Sequence, residues 1–114
     1  MATIKEDYCS KEIYRLLIEK GFDGEIHTTF DGEGYTQPSV SLQMAMKWLR
    51  EVHGLHISLE PCYDYDSMHV VFLAFVQNVA DVHEFFDGRK NVASYPNAEK
   101  SYELAIKYCL ENLI

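Results

Sequence analysis

Cys62 and His69 lie on either side of the turn-forming stretch Tyr63-Asp-Tyr-Asp-Ser67. If Asp64 to Ser67 close a hairpin, the thiol and the imidazole face each other, with Glu60 nearby on the same side of the ribbon. Thiolate, imidazole and carboxylate are ligands that zinc accepts, so Glu60, Cys62 and His69 are the best-placed metal set in the chain. A Cys beside a His is also the minimal pairing of a nucleophile with its base. Neither reading has the tight local spacing that makes a site convincing. No third group orients the His, and no oxyanion donors can be named. We therefore expect no catalytic residue, no cofactor and no metal, and read the chain as a non-enzyme.

Other reactive side chains lead to the same place. The five histidines, His27, His53, His56, His69 and His83, are scattered, although His53 and His56 flank Gly54. Asp31-Gly-Glu-Gly34 looks like a phosphate loop only in its glycines, because its carboxylates repel phosphate and no Lys follows. A hairpin turn explains it better. Asp81, His83, Glu84, Asp87 and Arg89 could hold a cation or a partner, but a charged connection is ordinarily solvated. Tyr63 and Tyr65, alternating with Asp64 and Asp66, suit either a basic peptide or a solvated turn with tyrosines on the sheet rim.

Bulk composition narrows the function classes. The 114 residues form one expected domain, residues 1–114, with 47% hydrophobic and 25% charged residues, a globular composition. Eighteen acidic against ten basic residues give a net charge of −8. That disfavours nucleic-acid binding and anionic membranes, both of which reward basic patches. It leaves solubility, a basic protein partner or mimicry of DNA as roles for the charge. Carboxylates spread along the whole chain argue against a mimic. The cysteines, Cys9, Cys62 and Cys109, are odd in number and form no Cys-x-x-Cys pair, so a disulfide framework is not expected. The first seven residues lack the apolar core of a signal peptide. The run Val70 to Val76 is too short to span a bilayer. A cytoplasmic location follows as the expectation.

The elements that must position these residues read as helix, hairpin, helix, hairpin, a long connection and a final helix. Ser10 caps a helix over Lys11–Lys20, with Ile13, Leu16 and Leu17 on one face and Gly21 after it. Glu25–Phe30 and Glu33–Gln37 form a hairpin, which Pro38 stops. Ser39 or Ser41 caps a second helix whose stripe is Leu42, Ala45, Met46 and Leu49. Val52 extends the stripe, Trp48 sits at its edge, and Gly54 ends the helix. Leu55–Glu60 alternates strictly, with Leu55, Ile57 and Leu59 facing the core. Met68–Gln77 is apolar on both faces, as in a central strand. Residues 78–94 fit a short helix capped by Asn78 or an edge strand, with Asn91–Tyr95 rejoining the sheet. Asn97 caps the last helix.

In the hairpin register Tyr63 faces Met68, Cys62 faces His69, Glu60 faces Val71 and Ser58 faces Leu73. One face, with Ile57, Leu59, Val70, Phe72, Ala74 and Val76, must lie under the helices. The other carries His56, Ser58, Glu60 and Cys62 opposite His69, Val71, Leu73 and Phe75. It is too apolar to stand bare in water. The expectation is a docking surface on Val71, Leu73 and Phe75, for a protein partner or a second copy in a homodimer. Trp48, Tyr63 and Tyr65 are secondary contacts. The alternative is that a helix or the first hairpin covers this face.

Two segments, Ser41-Leu-Gln-Met-Ala-Met-Lys-Trp-Leu-Arg-Glu-Val-His-Gly-Leu-His-Ile57 and Tyr95-Pro-Asn-Ala-Glu-Lys-Ser-Tyr-Glu-Leu-Ala-Ile-Lys-Tyr-Cys-Leu-Glu-Asn-Leu-Ile114, resemble small uncharacterised proteins encoded by phages and mobile elements of gut bacteria. The resemblance implies the same order of helix, hairpin and terminal helix, and brings no activity. The resulting expectation is an α+β domain: a mainly antiparallel four- to five-stranded sheet with two or three helices packed on one face. Its expected role is a non-enzymatic accessory or protein-interaction domain. A small-molecule or metal-binding domain and an acidic DNA mimic are the alternatives.

Overall fold

The Ser10 hydroxyl accepts from the Ile13 N–H and opens helix α1, Lys11–Glu19. At its far end Gly21 takes φ +92°. There the Gly21 N–H reaches the Ile18 carbonyl and the Phe22 N–H reaches that of Leu17, at 3.1 and 2.9 Å. These paired bonds are a Schellman closure, which needs a left-handed residue and so favours Gly. They also turn Phe22 inward, where it is buried against Trp48.

The molecule, described by a computed structural model at residues 7–30, 36–80, 84–87, 94–95 and 97–114, is α+β. Strands β1 (His27–Phe30) and β2 (Thr36–Ser39) form an antiparallel hairpin of their own. Pro38 does not stop β2 but lies within it, opposite Thr28. A two-stranded ribbon has only edge strands, and an edge tolerates a residue without an N–H.

The chain then passes through Val40 into helix α2, Leu42–His53. Of the two candidate caps, Ser41 accepts from the Met44 N–H, whereas the Ser39 hydroxyl donates to the Cys9 carbonyl. Segment 7–9 runs alongside: the Cys9 N–H bonds the Val40 carbonyl, and the Leu42 N–H bonds that of Asp7. Val40 and Ser41 are thereby fully buried. Gly54, at φ +68°, ends α2.

Strands β3 (Leu55–Asp64) and β4 (His69–Asn78) make a long antiparallel hairpin. Two short strands, β5 (Glu84–Asp87) and β6 (Ser94–Tyr95), also pair antiparallel with β4. The strands therefore divide into two sheets, and the single four- to five-stranded sheet expected from sequence is not what is seen. Glu84–Asp87 is strand, not part of the helix offered as one alternative, and Ser94–Tyr95 rejoins β4. β4 thus has neighbours on both edges. β3 has one on a single edge among the described residues, and Pro61 lies within it opposite Phe72.

Helix α3 (Ala98–Tyr108) is capped by Asn97, whose side chain accepts from the Lys100 N–H, and its last turn, Cys109–Leu113, widens to π-helical. Its buried Ser101 hydroxyl donates to the Phe72 carbonyl at 2.8 Å, pinning α3 to β4. The core gathers Ile13 and Leu17 of α1, Ala45 and Leu49 of α2, Ile57 of β3, Ala74 and Val76 of β4, and Ala105 and Ile106 of α3. Each element contributes one stripe, and the sheet contributes one face. Lys107 reaches Glu12 at 2.8 Å and joins α3 to α1.

Candidate functional site

The site follows from where the helices stop covering the β3–β4 hairpin. Near its base the alternation works as expected. Leu55, Ile57, Ala74 and Val76 are buried, and Leu59 is half-buried. Toward the tip the same face continues through Tyr63 and its cross-strand neighbour Val70. There they are 43% and 50% exposed. The apolar face thus outruns the helices that shelter it.

The tip is ordered by Asp64. Its carboxylate accepts from the Asp66 N–H at 3.1 Å and the Ser67 hydroxyl at 2.9 Å, while its carbonyl accepts from the Met68 N–H at 2.8 Å. Closing this loop puts Met68 at φ +61°. A left-handed conformation costs an L-residue other than Gly roughly 1–2 kcal/mol. The Met68 side chain stands 67% exposed and its sulfur accepts from the Tyr63 hydroxyl. Tyr63 and Tyr65 meet edge to face with centroids 4.9 Å apart, and Tyr65 is 80% exposed. Tyr63, Tyr65, Met68 and Val70 form one exposed cluster, with Asp66 in the loop.

The hairpin register differs by two residues from the expected one. Cys62 stands opposite Val71, Glu60 opposite Leu73, and His69 opposite Asp64. A two-residue slip keeps every side chain on its face, so the face assignments hold while the partners change. Cys62 and His69 are consequently not opposite each other. No group of three His, Cys, Asp or Glu side chains that could hold a metal ion occurs among the described residues. The Glu60, Cys62 and His69 set is therefore not brought together as a metal site.

Val71, Leu73 and Phe75 are buried within the chain, at 8%, 9% and 5% exposure. They are not the open docking surface expected of them. β4 is an inner strand, with β3 on one edge and β5 and β6 on the other from Phe72 to Gln77. Trp48 is also closed off, edge to face with Phe22 and His53. His53 Nε2 is buried and has no hydrogen-bond partner among the described residues. Among the other histidines, His27 lies beside Tyr8 and 3.9 Å from Glu25. His69 is exposed on the hairpin, and His83 falls outside the described residues. So do Asp81 and Arg89, with nothing described of the Glu84 and Asp87 side chains.

All three cysteines are free. Burial pushes the Cys9 thiol up to about 12, helped by the Glu103 carboxylate, and burial alone pushes Cys109 to about 12. A thiol held protonated is a poor nucleophile and a poor ligand. Only Cys62 is exposed. A concavity of about 570 Å³ separates α1 from β2, lined by Tyr14, Ile18 and Pro38 with Lys11, Arg15 and Glu19 at the rim. Its mixed charges do not converge on a reacting group. No helix among the described residues is long and apolar enough to cross a membrane.

Sequence reasoning identified Tyr63 and Tyr65 but missed Met68 and Val70 as their companions. The signal was present in the chain. The apolar alternation runs beyond the length that the helices can cover. No protein-family model, curated protein or solved structure matches this chain.

Proposed function

We propose that the protein is a non-enzymatic interaction domain that engages a protein partner through the distal half of the β3–β4 hairpin. One observation carries this reading: the sheet face that is core at the base emerges uncovered at Tyr63 and Val70, joined there by Tyr65 and Met68. Exposed tyrosines supply large rigid contact area at low entropic cost and are enriched among binding hot spots. Met68 favours the same reading. A bulky residue held left-handed where Gly would be unstrained suggests that its side chain is wanted. Asp66 and the net charge of −8 favour a partner whose surface is basic around an apolar centre.

The three unpaired cysteines favour a reducing compartment such as the cytoplasm, and the resemblance to phage and mobile-element proteins favours an accessory role there. The alternative dimer through Val71, Leu73 and Phe75 loses its support because those residues are sheltered within one chain. The test compares the wild type with a Tyr63→Ser/Tyr65→Ser variant as baits in extract of the native host, read by quantitative mass spectrometry. A specific protein should be retained by the wild type and fall about tenfold on the variant, a loss of about 1.4 kcal/mol. Equal capture by both baits would refute the reading. Light scattering at high concentration reports whether the tip instead binds a second copy.

A further inference from the structure

At the other end of the hairpin, helix α2, strand β3 and helix α3 line an open concavity of about 310 Å³. This is near the lower end of the range for small-molecule pockets. Gln43, Lys47 and Arg50 line it from α2, at a spacing that puts them on one helix face. His56 enters from β3 and Tyr102 from α3, and the apolar part is Met46 with the buried Ile57. Three separate elements of the core hold these groups, so the cavity is built on rigid parts of the fold.

Its chemistry runs against that of the rest of the molecule. The chain has 18 acidic and 10 basic residues, yet no carboxylate lines this concavity and two fixed cations do. Every polar side chain in it can donate a hydrogen bond: the guanidinium, the ammonium, the imidazole, the amide and the phenol. Elsewhere Lys107 is paired with Glu12, and Lys20 donates to the Ile114 carbonyl. The Lys47 and Arg50 side chains have no ion pair or hydrogen bond among the described residues.

We infer that this concavity binds a small phosphate monoester with an apolar or aromatic body. Lys47 and Arg50 together carry two positive charges, which match the near-dianion that a phosphate monoester is at neutral pH. The Arg fork can take two phosphate oxygens side by side while Lys acts as a point charge. Gln43, His56 and Tyr102 supply further donors. Met46, Ile57 and the Tyr102 ring offer the surface against which the ester group lies. The size excludes a folded macromolecule. His56 and Tyr63 lie seven residues apart on β3, about 23 Å at strand rise. This site and the hairpin tip are therefore separate, and either stands without the other.

The test is titration of the full chain with phenyl phosphate, inorganic phosphate and benzoate at low salt, followed by amide chemical shifts in nuclear magnetic resonance. Phenyl phosphate should give saturable shifts confined to residues 43–57 and the start of α3. It should bind about tenfold tighter than inorganic phosphate, which lacks the ring, and than benzoate, which carries one charge. The Lys47→Gln/Arg50→Gln variant changes only exposed side chains, so its thermal unfolding should match the wild type while its affinity for phenyl phosphate falls tenfold or more. Shifts spread over all basic residues, or affinity unchanged in the variant, would overturn the site. Inorganic phosphate binding as tightly as phenyl phosphate would overturn the apolar body. Benzoate binding as tightly would overturn the dianion.

Discussion

The two halves of the β3–β4 hairpin share one backbone, one register and one alternation of side chains, yet they meet opposite fates. In the basal half Ile57, Ala74 and Val76 lie in the core, and on the reverse face Leu73 and Phe75 are buried as well. In the distal half Tyr63, Val70 and Met68 stand in solvent. The strand pattern does not distinguish them. What differs is the cover: α2 and α3 pack on the basal part, and the core they form ends before Tyr63 and Val70. An apolar alternation therefore specifies a face that can be buried. Neighbouring elements decide how much of it is.

The comparison breaks most visibly in thiol chemistry. Cys62, on the distal half, should react with a thiol reagent in the native protein, while Cys9 and Cys109 should wait for opening of the structure. A rate difference of about a thousandfold or more is expected, because a core site opens only near the global unfolding free energy. Equal rates for the three would mean that the core is not closed. The same two thiols set an alkaline limit. Folding raises them from 9.0 to about 12, so above pH 9 the unfolded chain gives up protons that the folded chain keeps. Stability conferred by the protonated thiols is complete below that pH and falls as pH rises from 9 toward 12, at up to about 1.4 kcal/mol per pH unit for each thiol. Urea unfolding across that range should show the decline, and a Cys9→Ala/Cys109→Ala variant should flatten it.

Truncation sharpens the contrast between halves. Leu73→Ala should cost about 2–4 kcal/mol, as a buried Leu does when it leaves a cavity. A loss under about 1 kcal/mol in urea unfolding would show that the reverse face is not sheltered. Tyr65→Ala, eight residues away in sequence, should change stability by less than about 0.5 kcal/mol, because it removes an exposed side chain. The smallest effect belongs to Asp7. Limited desolvation, together with the nearby Glu99 carboxylate and a hydrogen bond to it, raises its pKa. A carboxyl raised on folding favours the native state when protonated and opposes it when charged. Asp7→Asn should therefore slightly raise the midpoint of thermal unfolding at neutral pH and leave it unchanged in acid.

Much of the architecture was legible because it is local. Ser10, Ser41 and Asn97 cap their helices and Gly54 ends α2, since a cap needs only its own side chain and the next few amides. Face assignments in β3 and β4 survived because period-two alternation ignores a slip of two. The partners did not, because the four-residue loop falls one residue later, at 65–68, placed there by the bonds to Asp64 and the left-handed Met68, which the turn composition does not reveal. Val52 has the stripe's angle but stands 60% exposed in the last turn of α2. Trp48, read as an edge residue, is buried because Phe22 is folded back onto it by the Gly21 closure. In each case the outcome depended on an element far away in sequence. The basic concavity was illegible for the same reason: its lining comes from α2, β3 and α3.

Pro61 gives the margin of β3 that has no neighbouring strand among the described residues a further meaning. Proline fits an edge strand where its nitrogen faces away from the ladder, so the outward row of amide donors is broken midway along the arm. A second molecule trying to add its own strand there would lose a bond at that rung. A tyrosine-tipped spike with an unbroken margin would be a template for fibrils, and this residue lets the protein carry the spike while resisting such growth.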